Sequence, residues 1–390
     1  FIIILSFHLK YVSLTIIIFF MSEEKKENLF KITVDNITIE VPAGTTILQA
    51  ARLIGGDVTP PAMCYYTPLT ESGGKCRTCL VEVAQGSTKD PRPMPKLVAS
   101  CRTSVMDGMV VKNCTSEKVQ AARAGVVEFL LLNHPLDCPI CDQAGECHLQ
   151  DLSYQHGHSE TRYEFEKRTF DKVDLGDSIQ LHMTRCILCY RCVYTANEVC
   201  KSRDHGVLDR GDHAQIATYI QENLNSDFIG NVIDVCPVGA LTDKTFRFKN
   251  RVWFTKPMYA KRTCENPDCC GEVILWFRGE EVFRVTARKD HWGEIKKSET
   301  TQKTGWICNT CRFEKKKSSD WIIEGLAPIE RHSVIGQGKY VNQIIPEETL
   351  PKVLSGSQPH LLLNIHDVSE VNQPQRHLSE TNRASTSNDF

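Results

Sequence analysis

The sequence predicts an α+β protein built from several small domains, and three observations carry that prediction. Residues 31–41 alternate apolar and polar side chains about Asp35 and Asn36, which indicates a β-hairpin, and a helical pattern follows it. Residues 271–288 indicate a second hairpin, which turns at Gly279 and Glu280. Half of the 18 cysteines fall in C-x2-C pairs, which favours metal or cluster sites over disulfides in a chain without a credible secretory signal.

Composition excludes several classes of function. Hydrophobic residues make up 41% and charged residues 24% of the 390 residues, which is ordinary for a globular protein of two or three domains. The formal net charge of −2 gives no basic excess, so neither nucleic acid nor an anionic membrane surface is indicated as a direct partner. Unpaired cysteines in such number imply a reducing compartment.

The two ends of the chain differ from the part between them. Residues 1–20 are almost long and apolar enough to span a membrane, but His8 and Lys10 interrupt them and Met21 opens a polar segment. We expect 1–20 not to belong to the mature protein; a genuine membrane anchor is the alternative. The tail after about residue 346 is rich in Ser, Asn, Gln and Pro, and is expected to be disordered.

The first hundred residues have the element order of a β-grasp ferredoxin. After the hairpin, Thr45 or Thr46 can cap a helix that Gly55 and Gly56 end, and a cysteine-bearing loop comes next. Further elements are expected beyond it: strands within 80–86 and 95–105, a helix within 116–134, and polar, irregular chain over 150–180.

The first cysteine group resembles the spacing of a plant-type 2Fe-2S site, with a longer first gap. Gly73 and Gly74 let the backbone pass close to the cluster and point N–H groups at its sulfides. Zinc is the alternative, but zinc sites favour two short C-x2-C or C-x4-C pairs and only one is present. The candidate ligands are Cys64, Cys76, Cys79 and Cys101.

The second group combines three cysteines with a histidine, in the order His134, Cys138, Cys141 and Cys147. Three thiolates at these spacings can bind three corners of a 4Fe-4S cubane, which then needs a fourth ligand. The spacing alone does not assign that role to His134, because a lone histidine is usually structural and His148, His156 and His158 lie nearby. A zinc site of three cysteines and one histidine remains chemically reasonable.

The third group matches the bacterial 4Fe-4S signature C-x2-C-x2-C with a remote Cys-Pro. Its candidate ligands are Cys186, Cys189, Cys192 and Cys236, the last followed by Pro237. Because the chain holds one such triplet, Cys236 most simply completes the same cubane. Cys200 is the rival fourth ligand but lacks the following proline.

The fourth group places cysteines on both sides of the hairpin at 271–288, which is also the plan of a zinc ribbon. Its candidates are Cys264, Cys269 or Cys270, Cys308 and Cys311, and the sequence leaves both the metal and the choice between Cys269 and Cys270 open. A fourth cluster is only slightly favoured. Cys114, Cys200 and the unused member of the adjacent pair are expected to be ordinary thiols.

The order of these motifs resembles the large iron–sulfur subunit of proton-translocating NADH:quinone oxidoreductase, respiratory complex I. The resemblance covers about residues 30–330 and is closest in HPLDCPICDQAGEC and DVCPVGALTDK. It implies that His134 is a cluster ligand, and that its surroundings are shaped by Asp137, Asp142, Gln143, Gly145 and Glu146.

The sequence departs from that family in two respects. The family's fourth site usually reads C-x2-C-x3-C with a distant cysteine, whereas here the first gap is four residues and the distal end is a C-x2-C pair. The family's large molybdopterin-like domain is also missing, so we expect a short form or a truncated gene product.

The motifs and the resemblance together divide the chain. The expected parts are an extension at 1–29, a 2Fe-2S β-grasp ferredoxin-like domain at 30–113, a 4Fe-4S domain with one His and three Cys ligands at 114–172, a bacterial-ferredoxin-like 4Fe-4S domain at 173–250, a four-cysteine hairpin module at 251–330 and a disordered tail at 331–390. The implied cofactors are one 2Fe-2S cluster, two 4Fe-4S clusters and either a third 4Fe-4S cluster or zinc.

The resemblance implies a one-electron relay in an oxidoreductase complex, with no catalytic residue and no NAD or FMN site in this chain. Its partners would be the flavin-bearing NADH subunit and the downstream iron–sulfur and quinone-site subunits. The expected location is the cytoplasmic side of the bacterial inner membrane, held by partners, or alternatively the matrix side of the mitochondrial inner membrane. Two other interpretations stay open: an iron–sulfur diaphorase subunit of an NAD-linked hydrogenase or formate dehydrogenase, and a zinc-stabilised scaffold.

Overall fold

The computed structural model describes residues 29–158, 161–170, 173–218 and 226–327. The expectations for residues 1–20 and for the tail after residue 346 therefore lie outside the described residues. The chain forms two compact units. The first contains the described residues up to Pro60 together with Leu80–Val119, and the second contains Pro61–Cys79 and the chain from Gln120 onward.

The first unit is a five-stranded sheet with one helix against it. Its strands are β1 (Leu29–Val34), β2 (Ile37–Pro42), β3 (Leu80–Gln85), β4 (Val98–Ala99) and β5 (Met109–Lys112), in the order β2-β1-β5-β3-β4. The pair β1–β5 is parallel and the others are antiparallel. Asp35 and Asn36 both adopt positive φ, as a two-residue hairpin turn requires, which confirms the predicted hairpin.

Helix α1 (Ile47–Ile54) follows the hairpin and closes the core of this unit. Thr46 caps it: the threonine Oγ1 accepts from Gln49 N at 3.3 Å, while Gln49 Oε1 accepts from Thr46 N at 2.9 Å. This capping box chooses Thr46 over Thr45. The buried side chains Ile47, Ala50 and Ala51 pack with the inward residues of the sheet.

The second unit contains the remaining helices and three small sheets. The helices are α2 (Glu117–Leu131), which begins in the first unit, α3 (His148–His156), α4 (Arg191–Glu198) and α5 (Asn231–Val235). The prediction of irregular chain over 150–180 was wrong at both ends, because α3 occupies its start and two short strands, Val173–Asp174 and Ile179–Leu181, occupy its end. That helix buries only Leu149 and Leu152, so its sequence lacks a continuous apolar face.

The sheets of the second unit are short apart from the last. Strands β6 (Val173–Asp174), β7 (Ile179–Leu181) and β10 (Leu241–Asp243) form one sheet in the order β10-β7-β6, and β8 (His205–Leu208) pairs with β9 (Gln215–Thr218) in a hairpin. The last sheet consists of β11 (Lys256–Lys261), β12 (Glu272–Arg278), β13 (Glu281–Ala287) and β14 (Ile322–Leu326), in the order β13-β12-β11-β14. The predicted hairpin at 271–288 is confirmed as β12–β13.

Single helical turns join these elements. They are Gly56–Val58, Cys138–Ile140, Met183–Arg185, Gly211–His213, Val252–Phe254 and Ser318–Asp320, with a π-helical turn at Thr310–Glu314. Several of them carry or adjoin cysteines. Among the described residues, no helix is both long enough and apolar enough to cross a membrane.

Candidate metal centres

The first cysteine group lies mainly in the loop Pro61–Cys79 of the second unit. Cys64 and Cys79 are 1% exposed and Cys76 is 7% exposed, so a bound group would be shielded from water. Cys101 is buried too, but it belongs to the first unit, two residues after β4. Its inclusion in this group stays a prediction.

The loop between Cys64 and Cys76 is turned by two glycines. Gly73 and Gly74 have φ of 106° and 76°, a backbone conformation that favours glycine. The turn directs the N–H groups of Lys75 and Cys76 at Cys64 Sγ, at 3.2 and 3.3 Å. Backbone donors to sulfur stabilise a thiolate, as expected of a cluster ligand.

The thiols of Cys64 and Cys76 are hydrogen-bonded neighbours. The pKa of Cys76 is raised well above its ordinary value, first by the hydrogen bond to Cys64 and then by burial. Thr78 Oγ1 lies 3.1 Å from Cys76 Sγ and opposes this shift. Two close, buried sulfurs that resist ionisation on their own fit a site where a bound cation stabilises both thiolates.

His134 of the second group has the chemistry of a metal ligand. Its ring atom Nδ1 is buried and has no hydrogen-bond partner. The pKa of His134 is lowered to about 4, chiefly by burial and also by the charges of Arg185 and Lys167. The imidazole is therefore neutral near pH 7, with a lone pair free for a metal.

The three cysteines of the second group differ in exposure. Cys138 is exposed, while Cys141 is buried and Cys147 is half-buried. The pKa of Cys147 is raised to about 12 by burial. Cys141 Sγ lies where a side chain on Gly239 would be, only 2.1 Å from the position of a Cβ, so Gly239 leaves the space that the sulfur occupies.

Arg185 joins the second group to the third. Its guanidinium donates to Asp137 Oδ2 at 3.1 and 2.9 Å, and its Nη1 lies 3.5 Å from the Gly239 carbonyl oxygen. The side chain is almost fully buried and directly precedes Cys186. The resemblance implied a role for Asp137, but sequence reasoning missed its partner; an arginine beside a cluster motif was the available signal.

Three more residues implied by the resemblance have structural partners. Glu146 receives a bidentate ion pair from the buried Arg284, at 2.6 and 3.0 Å. Gly145 has φ of 84° and a Cβ there would lie 2.9 Å from the Trp253 ring. Gln143 Nε2 donates to the Glu146 carbonyl oxygen at 3.1 Å, which tightens the turn between Cys141 and Cys147.

The third group brings four thiols together around one small cavity. Cys186, Cys189, Cys192 and Cys236 line it with apolar side chains such as Ile187 and Leu241. The pKa of each of these thiols is raised by burial above all, and for the first three also by other thiols of the group. Four buried sulfurs that disfavour ionisation without a cation fit an iron–sulfur cluster.

Cys236, and not Cys200, faces the triplet. The thiol of Cys236 raises the pKa of Cys186, Cys189 and Cys192, after burial as the main cause. The pKa of Cys200 is raised to about 11 by burial, a hydrogen bond to Ser226 opposes this shift, and no thiol of the group contributes to it. Cys236 lines the same small cavity as the triplet, and its assignment as the fourth ligand stays a prediction.

Arg191 connects the third group to the loop of the first. Its Nη2 donates to the carbonyl oxygens of Ala62 and Tyr65 at 2.9 and 2.7 Å. Its Nη1 lies 3.5 Å from the Val235 carbonyl oxygen, next to Cys236. Sequence reasoning missed Arg191, although it sits inside the CILCYRC run, because a residue between cluster cysteines carries no signal of a remote partner.

The fourth group is compact. The ligand atoms of Cys264, Cys269, Cys308 and Cys311 all lie within 4.8 Å of one another. Cys264 Sγ is 3.6 Å from both Cys308 Sγ and Cys311 Sγ, and Cys269 Sγ is 3.8 Å from Cys311 Sγ. Cys269 therefore belongs to this group, which the sequence left open against Cys270.

Three family models match parts of the chain. They describe a 2Fe-2S iron-sulfur cluster binding domain at 27–116, an NADH-ubiquinone oxidoreductase-G iron-sulfur binding region at 123–162 and a ferredoxin-like domain of NADH-quinone oxidoreductase subunit 3 at 176–242. The 2Fe-2S and ferredoxin-like 4Fe-4S regions of the predicted α+β fold are thus present, together with the four-cysteine cluster.

Longer relatives carry names of the same enzyme complex. The mitochondrial NADH dehydrogenase iron-sulfur protein 1 of Solanum tuberosum is 39% identical over 83% of this chain and 42% of its own length. The NADH-ubiquinone oxidoreductase 75 kDa subunit of Reclinomonas americana is 44% identical over 67% and 36%. The corresponding NADH-quinone oxidoreductase protein of the bacterium Rickettsia bellii is 41% identical over 67% and 36%.

This chain spans about two fifths of the length of these relatives. A chain of a crystal structure of NAD+-reducing NiFe hydrogenase is 27% identical, with a TM-score of 0.49, and the match covers 57% of this chain and 91% of the other. On the three matched regions and the sequence identities, the chain belongs to the family of 75 kDa iron–sulfur subunits of NADH-quinone oxidoreductase.

Proposed function

We propose that this chain is an electron-relay subunit of an NADH:quinone oxidoreductase, with three iron–sulfur sites. The observation that carries the proposal is that groups of cluster-type ligands, most of them buried or half-buried, lie next to one another. The proposed ligands are Cys64, Cys76, Cys79 and Cys101 for a 2Fe-2S cluster; His134, Cys138, Cys141 and Cys147 for one 4Fe-4S cluster; and Cys186, Cys189, Cys192 and Cys236 for another.

Iron–sulfur clusters bound at these residues would supply reversible one-electron transfer, at potentials set by cluster type, hydrogen bonds to sulfur and exposure. The protein's part is to hold the sites at fixed short separations and to exclude water. Arg185 and Arg191 serve this purpose, because each buried guanidinium ties the loop of one site to that of the next.

The contacts support a spatial order that differs from the order along the chain. Cys64 of the first group lies close enough to Cys189 of the third for its thiol to contribute, after burial and the Cys236 thiol, to raising the pKa of Cys189. Cys147 Sγ of the second group lies 3.9 Å from the Pro237 carbonyl oxygen, beside Cys236. We propose that the third group is the intermediate station between the other two.

The histidine of the second group gives its site a different electrostatic character. A neutral imidazole in place of a thiolate makes the surroundings of a cluster less negative, which by itself raises the reduction potential. Arg185 places a positive charge near this site, and the Asp137 carboxylate to which it is paired opposes the effect of that charge. The histidine ligand is therefore the feature that favours this site as an electron acceptor from its neighbour.

The proposed partners are the flavin-bearing NADH subunit and the downstream iron–sulfur and quinone-site subunits, because the described chain has no dinucleotide fingerprint. The proposed location is peripheral, on the cytoplasmic side of a bacterial inner membrane or the matrix side of a mitochondrial one. This rests on the bacterial and mitochondrial names of the relatives.

Electron paramagnetic resonance of the full chain, purified without oxygen and reduced stepwise, tests the proposal. We expect one 2Fe-2S signal and two 4Fe-4S signals. The variant His134→Cys should keep all three while lowering the potential of one 4Fe-4S signal. A chain that binds zinc but no iron or sulfide would contradict the relay.

A further inference from the structure

The spacing of the fourth group fits a single metal atom. Four thiolates bound tetrahedrally to one zinc ion at about 2.3 Å stand about 3.8 Å from one another. The closest sulfur–sulfur distances in this group are 3.6, 3.6 and 3.8 Å, and no pair exceeds 4.8 Å. The four sulfurs are already as close together as the ligands of one ion.

A 4Fe-4S cubane requires a larger tetrahedron. Each of its four irons binds a different cysteine thiolate, which points away from the cluster. The distance between two cysteine sulfurs therefore includes an iron–iron separation and the two outward iron–sulfur bonds. Within the described part of the chain, the cysteines of the third group include no set of three whose sulfurs all lie within 4.8 Å of one another. The two groups therefore differ in the size of the object they enclose.

Backbone hydrogen bonds hold the four sulfurs in this arrangement. Cys308 N donates to Cys269 Sγ at 3.3 Å, and Cys311 N lies 3.5 Å from Cys308 Sγ. The loops that carry the two cysteine pairs are joined by Cys270 N, which donates to the Trp306 carbonyl oxygen at 2.9 Å. N–H donors to sulfur spread the charge of four thiolates around one dication.

A backbone hydrogen bond closes the loop that carries Cys264 and Cys269. Arg262 N donates to the Gly271 carbonyl oxygen at 2.9 Å, and Gly271 has φ of 71°. A Cβ at Gly271 would lie 2.3 Å from the Arg262 carbonyl oxygen, so the closure of this loop depends on glycine.

We propose that Cys264, Cys269, Cys308 and Cys311 bind one Zn²⁺ as a structural zinc ribbon and that this site positions helix α5, which leads to Cys236. A closed set of four thiolates is a structural zinc site rather than a catalytic one, because no coordination position is left for water or substrate. The fourth group then takes no part in electron transfer.

The contact between the zinc site and α5 is made by Asn309 and Arg312, which follow Cys308 and Cys311. Asn309 Oδ1 accepts from Gly230 N, at the start of α5, at 2.9 Å. Arg312 forms a buried ion pair with Asp234, two residues before Cys236, and both side chains are at most 2% exposed. A buried pair of this kind depends on the fixed position of each partner.

Gly230 shows how closely these parts fit. A Cβ at this position would lie 2.8 Å from Arg312 Cδ and 2.9 Å from Asn309 Oδ1. Asn231 adds two bonds to the same segment: its Nδ2 donates to the Ile307 carbonyl oxygen at 2.8 Å and its Oδ1 accepts from Ile307 N at 3.2 Å. Without the metal, the segment that carries Cys308 and Cys311 would no longer be held in place, and the contacts of Asn309 and Arg312 with α5 would weaken.

The metal assignment is tested by zinc-edge X-ray absorption on the anaerobically purified full chain. We expect one zinc per chain with four sulfur neighbours at about 2.3 Å. Zinc with oxygen or nitrogen neighbours, or a mononuclear iron in its place, or a third 4Fe-4S signal, would overturn the assignment. Zinc is counted separately from cluster iron, so this test stands even if the relay proposal fails.

Two adjacent cysteines provide a matched pair of variants. Cys269→Ser should lose at least nine tenths of the bound zinc, whereas Cys270→Ser should keep it, because Cys270 lies outside the sulfur tetrahedron. Equal zinc in both variants would mark the ion as adventitious and overturn the proposal. If Cys269→Ser does not fold, the wild-type absorption spectrum still decides the ligand set.

The proposed positioning of α5 by the zinc site rests on the proposed function, because its test measures the 4Fe-4S cluster of the third group. Asn309→Ala keeps all four zinc ligands, so it should keep full zinc while shifting or broadening the resonance of the cluster held by Cys236. Asn309→Asp retains an acceptor for Gly230 N and should restore the wild-type signal. An unchanged resonance in Asn309→Ala, or no rescue by Asn309→Asp, would contradict the positioning role.

Discussion

The third and fourth cysteine groups use the same number of the same ligand, yet they enclose different objects. Cys186, Cys189, Cys192 and Cys236 surround a cavity lined by apolar side chains. The four sulfurs of the fourth group all lie within 4.8 Å of one another. The number and type of ligands therefore do not fix the nuclearity of a site; the distance that the backbone imposes between the sulfurs does.

The two groups also differ in how their backbones approach the sulfurs. In the third group the chain enters α4 between Cys189 and Cys192, and Tyr190 adopts a positive φ of 65° just before the helix begins. In the fourth group the cysteines sit on short loops beside a hairpin, and the loops bond to each other's backbone and sulfur. Helices thus border the third group, the wide site with its cavity, whereas loops enclose the fourth group, the narrow site with closely spaced sulfurs.

The sharpest test of the comparison removes one ligand from the wide site. Cys236→Ser should eliminate one 4Fe-4S signal and about four irons per chain, because Cys236 completes the cubane. Zinc content should not change. Cys200→Ser is the matched control, since Cys200 lies outside the group, and iron and zinc analysis with EPR reads both variants. Loss of the signal in Cys200→Ser instead would reverse the assignment.

Removal of the metal from the narrow site should destabilise the fold without bleaching the clusters. Structural zinc contributes binding free energy directly to folding. A chelator that takes zinc should lower the Tm by about 10 °C, which corresponds to a few kcal/mol in a domain of this size. Differential scanning calorimetry with the visible absorbance of the clusters measures both. Bleaching at an unchanged Tm would contradict a structural zinc site.

Gly239→Ala tests the contact between the second and third groups. The new methyl would overlap Cys141 Sγ, so we expect a loss of about 1–3 kcal/mol in the free energy of unfolding and a weakened second 4Fe-4S signal. Gly125→Ala, on α2 with no atom within 4 Å of its Cβ position, should instead stabilise the helix by about 0.5–1 kcal/mol. The same change in unfolding free energy and in cluster signal for both variants would contradict the close contact between Gly239 and Cys141.

The smallest effect concerns a buried histidine that is not a proposed ligand. The pKa of His205 is lowered to about 4 by burial, and neither ring nitrogen has a hydrogen-bond partner. The unfolded state therefore binds the proton between about pH 6.5 and 4, and stability falls as pH decreases through that window. At pH 5 this amounts to about 2 kcal/mol relative to pH 7.5.

His205→Phe removes this titration. The Tm of the variant should fall less than that of the wild type between pH 7.5 and pH 5, by about 4–8 °C. His134, whose pKa is lowered to a similar degree, should not show the same effect in the cluster-bound chain, because coordination keeps its ring neutral. Equal pH dependence in wild type and His205→Phe would contradict this assignment.

The sequence predicted those parts of the fold that local patterns determine. The hairpin at 31–41 follows from alternation and turn residues, and the hairpin at 271–288 from its turn at Gly279 and Glu280. Thr46, one of the two threonines expected to cap the first helix, is its N-cap. Helix α3 was missed because only Leu149 and Leu152 are buried in a polar segment. Strand β14 has no alternating signal of its own, and its place is set by pairing with β11.

The candidate sites were predictable as sets of ligands but not as environments. Spacing identified the cysteine groups, and the resemblance added His134. The arginines that join the sites, Arg185, Arg191 and Arg312, were missed because their partners are remote in sequence. The choice of Cys269 over Cys270 depends on which sulfur a loop turns inward, and adjacent residues of one type carry no such signal.

The most direct test of the whole account is the content of iron, acid-labile sulfide and zinc in the full chain purified without oxygen. Two 4Fe-4S clusters, one 2Fe-2S cluster and one zinc ion predict about ten irons, about ten sulfides and one zinc per chain. About fourteen irons without zinc would contradict the structural fourth site, and zinc without iron or sulfide would contradict the relay itself.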